Sequence, residues 1–272
     1  MLAPLVLCTL SLTLVPIGQT IVLSLSRRTT GELPVLDNYR AIVGADQFGE
    51  ALFNTIFLTL VGLSLELLVG LVIAHIMSRE FRGRRLLQAV LLVPMGVPTL
   101  VSAINMTYIF GSVGYLNELL YRLGLIRVPI DWAGGGVVTL LTIVVADMWK
   151  VTPLVILVLL AGLESIPRNL YEACAVDGAS SWQRFRRITL PLLKPSITMI
   201  MVLRAIDAFR IFDLPLVLAG RNTPVLATYA FYEYNAYNNA HASAAASTIL
   251  MGVIAVFVLC YLLVVERRDG GS

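Results

Sequence analysis

The chain has 272 residues, 58% of them hydrophobic and 14% charged, with a mean hydropathy of +0.84. Soluble domains carry about 25% charged residues, so this composition excludes a soluble globule, a disordered chain and a nucleic-acid binder. The net charge of +3 is too small to demand an acidic partner. Cys8, Cys174 and Cys260 share no short spacing that would make a metal site or a disulfide framework.

A helix needs about 20 apolar residues to cross a bilayer, and six stretches qualify. Residues 1–25 carry no charge and lack the basic start and small-residue cleavage site of a signal peptide, so they read as a retained first span. Residues 51–77 form the second, with Glu66 inside it. Residues 86–110 form the third, which Pro94, Gly96 and Pro98 should kink or break. Residues 135–163 form the fourth and carry Asp147 and Lys150. Residues 195–219 form the fifth, with four charges, and residues 243–265 the charge-free sixth.

Six spans place both termini on one side. The loops 78–85 and 164–194 and the tail together hold eleven basic residues, against six in the alternate loops, which predicts both termini in the cytoplasm. Arg27 and Arg28, directly after the first span, pull the other way. In the outer loop 111–134, a short amphipathic stretch at 116–123 and the aromatics Tyr115, Tyr121 and Trp132 suit an interfacial belt.

The segment 164–194 is long for a connection between membrane helices, and long loops with structure of their own are usually functional. Ser165 and Pro167 suggest a helix start. Leu170, Ala173, Cys174 and Asp177 follow at helical spacing, Gly178 permits a sharp turn, and Ser180 or Ser181 can cap a second helix bearing Trp182, Phe185 and Ile188. Pro191 and Pro195 should close the segment. Two short helices joined at a glycine bend are the expected result.

Tyr171-Glu172-Ala173-Cys174-Ala175-Val176-Asp177-Gly178-Ala179, followed by Phe185, Ile188, Leu190-Pro191 and Pro195, resembles the EAA loop of permeases of binding-protein-dependent ABC importers. The stretch departs from the family pattern only at Cys174, where the second alanine is expected. The resemblance implies an all-α integral membrane protein of the type I importer permease fold, a single transmembrane domain over 1–272. It implies that Glu172, Ala173, Asp177 and Gly178 couple to a cytoplasmic ATPase, whose closure moves two permease subunits between inward and outward states. The implied partners are a second homologous permease subunit, two copies of the ATPase and an extracytoplasmic sugar-binding protein, in a bacterial or archaeal cytoplasmic membrane. Arg184, Arg186 and Arg187 suit either ATPase docking or the anionic lipid surface.

Charges inside a membrane are functional candidates by default. Arg204, Asp207, Arg210 and Asp213 fall three residues apart with alternating sign, so consecutive members can pair along the fifth span. They read either as a polar site for a hydroxyl-rich solute or as a structural ladder. The run Asp207-Ala-Phe-Arg-Ile-Phe-Asp213 resembles the corresponding stretch of the carbohydrate branch, especially the trehalose/maltose-type permeases. Asp147 and Lys150 repeat the pairing, with Trp149 between them as a sugar-stacking or a packing residue. Glu66 needs a partner from a neighbouring helix. Asn105 and Tyr108 are further cavity candidates. The Tyr/Asn-rich stretch 232–241 suits a substrate or binding-protein contact, or an interfacial belt.

No phosphate-binding G-x-x-x-x-G-K-[ST] motif occurs, and the only lysines, Lys150 and Lys194, precede Val151 and Pro195. The chain therefore carries no ATPase site and no metal or cofactor of its own. ATP and Mg²⁺ are expected on the partner ATPases. The reading is a permease subunit for a neutral sugar. The alternative is an ion-coupled secondary transporter using Asp207 and Asp147.

Overall fold

Lipid offers no partner to a backbone N–H or C=O, so apolar stretches satisfy those groups internally as helices. The computed structural model describes residues 3–27 and 31–269, and all of its regular structure is helical. Residues 1–2 of the first span, Arg28, and the side chains of Arg267 and Arg268 lie outside the described residues.

Helix α1 (Ala3–Ser24) leads to the short α2 (Asp37–Val43) and then to α3 (Asp46–Met77). At 32 residues, α3 is about 48 Å long. The third expected span is broken as its prolines require. It comprises α4 (Arg84–Leu92), a 3₁₀ turn at Val93–Gly96 and α5 (Thr99–Phe110). Helix α6 (Tyr115–Arg122) and the long α7 (Gly136–Glu164) follow. Then come α8 (Arg168–Val176), α9 (Ser181–Arg184) and α10 (Leu190–Phe209), and after them α11 (Asp213–Leu218), α12 (Leu226–Asn235) and α13 (Ala240–Asp269). Among the described residues, five stretches are long and apolar enough to cross a membrane: Val6–Ser24, Asp46–Met77, Thr99–Arg122, Gly136–Glu164 and Ala240–Val265.

The expected fifth span, 195–219, is not one helix. α10 tightens at its end, where Arg210 N bonds Asp207 O and Ile211 N bonds Ala208 O, and the chain unwinds before α11. Pro215 forces the break, because it has no N–H for the Ile211 carbonyl and its ring would collide with that group. The prolines at the start of this span do not close the preceding segment either. α9 runs through a π turn at Phe185–Thr189 directly into α10, with Pro191 in its first turn and Pro195 inside it.

Parallel contact between α3 and α7 forms the centre of the bundle, Leu58 meeting Leu140–Val144 and Ala74 meeting Val155–Leu159, and α10 packs antiparallel against both. Small residues allow the close approach, since packing, not hydrophobicity, drives helix association in lipid. A Cβ on Gly70 would lie 2.7 Å from Val155 Cγ1, and one on Gly162 would lie 2.3 Å from Ser196 Oγ and 2.7 Å from Leu193 Cδ1. Gly162→Ala is therefore expected to destabilise by about 1–3 kcal/mol. Gly252→Ala on α13, where a Cβ meets nothing within 4 Å, should be neutral or mildly stabilising. Thermal melting of the purified protein in detergent distinguishes the two.

Two polar side chains on α3 fix the return of the chain after α11. Asn54 donates to Pro224 O at 2.8 Å, and Thr55 Oγ1 accepts from Leu226 N at 2.9 Å. At the same end of the bundle, buried Asn117 donates to Gly111 O, Ser112 O and Ile130 O and accepts from Ile130 N and Trp132 Nε1. Trp132 is thereby held half-buried, edge-on to Phe110 at 6.0 Å, while Tyr115 and Tyr121 are exposed.

Candidate functional site

The segment between α7 and α10 has the two-helix form expected of it, with one correction. Ser165 does not start α8. Its hydroxyl donates to Gly162 O at 2.7 Å and finishes α7, while α8 begins after Pro167 without a side-chain cap. The far end of α8 closes in a Schellman turn, with Ala179 N bonding Cys174 O and Gly178 N bonding Ala175 O. Gly178 sits at φ +73°, a conformation that glycine adopts without the steric cost a Cβ brings. Ser180 then caps α9 reciprocally: its Oγ accepts from Gln183 N at 3.3 Å, and Gln183 Oε1 accepts from Ser180 N at 2.8 Å.

The segment is tied to the bundle at several points. Tyr171 and Thr189 share a hydrogen bond at 3.0 Å, and Arg168 pairs with Glu80 at 2.9 Å. The hydrogen bond from Arg168, together with its charge, holds Glu80 below the usual carboxylate range. Phe185 stacks on Trp182 at 5.6 Å and meets His75 edge-on at 6.1 Å. Glu172, Ala173, Val176, Asp177 and Gly178 all lie exposed on the opposite side, and Val176 keeps 89% of its surface open. Glu172 and Asp177 make no side-chain bond among the described residues, so their carboxylates are available to another polypeptide.

The intramembrane charges do not form the expected ladder along one helix. Arg204 is 4% exposed and reaches across the bundle. Its Nε donates to Glu66 Oε2 at 3.0 Å, and its Nη2 donates to Glu66 Oε1 at 3.1 Å and to Asp147 Oδ2 at 2.9 Å. Only Asp207, 3.6 Å from Arg204 Nη1, pairs within α10. Glu66, 1% exposed, thus finds the neighbouring-helix partner it needs, and α3, α7 and α10 are pinned at one point. Asp147 does not pair with Lys150. Lys150 instead donates to Val97 O, the carbonyl freed where Pro94 and Pro98 break the third stretch. Arg210 and Asp213 fall on either side of the break between α10 and α11 and do not pair with each other.

These positions divide by accessibility. Arg204 and Glu66 are buried and fully engaged with each other, so neither is free to meet a solute. Asp207 keeps 63% of its side chain open, and Arg210 is exposed. Asn105, Tyr108 and Trp149 come together, with Val145, along a groove of about 570 Å³ between α5 and α7. Asp207, Arg210 and Asp213 do not line that groove. An aromatic face beside an amide and a phenol is a surface that sugar rings and hydroxyls suit. Asn54, Thr55 and Asn117 hold the end of the bundle remote from α8 and escaped the sequence reading, because a lone Asn or Thr in an apolar run carries no signal of its partner. The stretch 232–241 is split between the end of α12 and the start of α13, where the Arg221 guanidinium lies 4.8 Å from the Tyr232 ring centre.

Comparison with known proteins agrees with the resemblance carried by residues 171–195. Residues 66–268 match the family described as the inner membrane component of binding-protein-dependent transport systems. The chain is 38% identical to the trehalose/maltose transport system permease protein MalF of Thermococcus litoralis, over 99% of this chain and 94% of that protein. It is 33% identical to the trehalose transport system permease protein SugA of Mycobacterium tuberculosis, over 96% of this chain and 86% of that protein. Among solved structures, a chain of a bacterial ABC transporter involved in the import of the acidic polysaccharide alginate shares the fold. Its TM-score is 0.86 at 23% identity, over 98% of this chain and 94% of that one. On the family match and the two relatives together, this chain belongs to the inner-membrane components of binding-protein-dependent transport systems.

Proposed function

We propose that this chain is one of two transmembrane subunits of an ATP-driven importer for a neutral sugar of the trehalose or maltose kind. The observation that carries the coupling half of this reading is the braced segment α8–Gly178–α9, which turns Glu172, Ala173, Asp177 and Gly178 outward on a helix fixed at both ends. Small residues at Ala173 and Gly178 admit a cleft wall closely, and Glu172 offers a carboxylate to a basic or amide partner. Because α9 continues through the π turn into α10, a push on α8 is passed to α10 and to the Arg204 junction that joins α3 and α7. The names of the relatives support the sugar.

In this reading the α8–α9 side is cytoplasmic, both termini lie there, and α10 with α11 completes a sixth crossing. A second, similar permease subunit, two copies of a cytoplasmic ATPase that bind ATP and Mg²⁺, and an extracytoplasmic sugar-binding protein complete the assembly. Asn105, Trp149, Asp207, Arg210 and Asp213 face the pathway, while Asp147 and Lys150 position its walls. Family membership favours this mechanism over ion coupling through Asp207 and Asp147.

Uptake of labelled trehalose and maltose by cells carrying the transporter tests both halves. Uptake should stop on ATP depletion and persist when an uncoupler is added with ATP maintained. Uptake that survives ATP depletion and stops with the uncoupler contradicts the mechanism. ATP-dependent uptake of neither sugar contradicts the substrate.

A further inference from the structure

A second cavity, of about 630 Å³, opens behind the α8–α9 segment, between it and the ends of α3 and α7. Its walls are rich in cations. Arg79 follows α3, Arg84 begins α4, Arg168 begins α8 and Arg184 ends α9. Two carboxylates share the space: Glu80 is paired with Arg168, and Glu164 with Arg84. Four guanidiniums against two carboxylates leave an excess of positive charge. Several donors remain unused. Arg84 Nε is a buried donor with no hydrogen-bond partner, and His75 Nδ1, which donates or accepts according to tautomer, is buried and unpartnered beside it. Arg79 makes no hydrogen bond or ion pair among the described residues, and Arg184 reaches only Ser181 Oγ at 3.3 Å. Unsatisfied buried donors are costly, so such a cluster suits an occupant rich in acceptors and negative charge.

The rim indicates the source of that charge. The cavity lies where α3 and α7 end, and the neighbouring surface is apolar and open: Ile76, Phe81, Leu86 and Trp182 are all exposed, Leu86 at 72% and Trp182 at 68%. Guanidiniums inside a pocket with apolar surface beside it match a phosphate attached to acyl chains. A soluble phosphate compound would leave that rim bare.

We propose that this crevice binds the headgroup phosphate of an anionic membrane lipid, which bridges the ends of α3 and α4 to α8 and α9 and so braces the coupling segment against the bundle. The assignment concerns a lipid of whichever leaflet meets this end of the molecule. It stands or falls separately from the sugar and from the ATPase partner.

Native mass spectrometry of the assembled transporter from nanodiscs, with phosphatidylglycerol titrated against phosphatidylcholine, tests it. Each arginine near an anionic lipid is worth about fivefold in affinity. R79Q/R184Q should therefore lower phosphatidylglycerol retention about thirtyfold, and the milder R79Q about fivefold. R186Q/R187Q, outside the cavity, should leave retention near the parent value. Equal retention by parent and R79Q, or equal losses in R79Q/R184Q and R186Q/R187Q, would overturn the site in favour of diffuse surface charge. Displacement of phosphatidylglycerol by millimolar inorganic phosphate would overturn the lipid assignment and leave a site for a soluble phosphate.

Discussion

Arg204→Met should prevent accumulation of the folded chain. The side chain is buried, and it neutralises and hydrogen-bonds Glu66 of α3 and Asp147 of α7 while lying 3.6 Å from Asp207. Methionine fills much of the same volume but leaves two carboxylates facing each other without a cation. Breaking a buried pair by removing one partner costs about 3–5 kcal/mol, and a charge at membrane depth has no water to turn to. The measurement is the yield and melting temperature of the protein in detergent. The triple variant R204M/E66Q/D147N, which removes the stranded charges, should recover most of the loss, because replacing a whole buried ionic group is far less costly than halving it. A single variant with full yield and unchanged melting would show that the junction does not hold the three helices together.

The second large effect belongs to the coupling segment and leaves the fold intact. Gly178→Pro should abolish uptake while the chain still inserts and melts normally. Proline fixes φ near −65°, whereas the Schellman turn needs +73° and uses the Gly178 N–H to bond Ala175 O. The exit of α8 would be redirected and Ala179 would lose its bond to Cys174. α8 contributes no residue to the buried core, so the bundle does not depend on that turn. Glu172→Lys should act in the same way by another route, since the exposed carboxylate has no partner among the described residues and its reversal changes only what docks from outside. Transport of labelled sugar, normalised to the amount of assembled protein, reads both. Uptake within about twofold of the parent for both variants would remove the coupling role from this segment.

Much of this architecture was legible because lipid imposes one rule, that backbone groups pair within a helix. The apolar runs at α1, α3, α7 and α13 were visible for that reason, and Pro94 and Pro98 announced the break between α4 and α5. The glycine bend was legible too, since a glycine after a helical repeat and a serine able to cap the next helix each specify a local geometry, whereas the reciprocal bond from Gln183 emerged only with the structure. What the sequence could not show was where long side chains reach. Arg204 and Asp207 at i, i+3 suggested pairing along α10, yet the nearest desolvated carboxylates lay on α3 and α7, and burial favoured those. Lys150 likewise passed over Asp147 for a carbonyl that a proline break had freed. The fifth stretch misled for the same reason: its apolar average hid Pro215, whose effect depends on the unwound turn before it. Asn105 and Trp149 were recognisable as polar or amphipathic residues in apolar helices, but their meeting in one groove is a matter of how α5 leans on α7.

The central claim is that the exposed face of α8 sits against a separate ATPase. It is tested most directly by site-specific cross-linking in the assembled transporter. With Cys8 and Cys260 replaced by Ser and Cys174 by Ala, a single cysteine at the open tip of the helix, Val176→Cys, should cross-link through a short bismaleimide to the ATPase subunit, with a yield that changes when ATP is added. If that cysteine, in a complex that still transports, labels freely with a soluble maleimide and cross-links to no other polypeptide in either nucleotide state, α8 is not the coupling element.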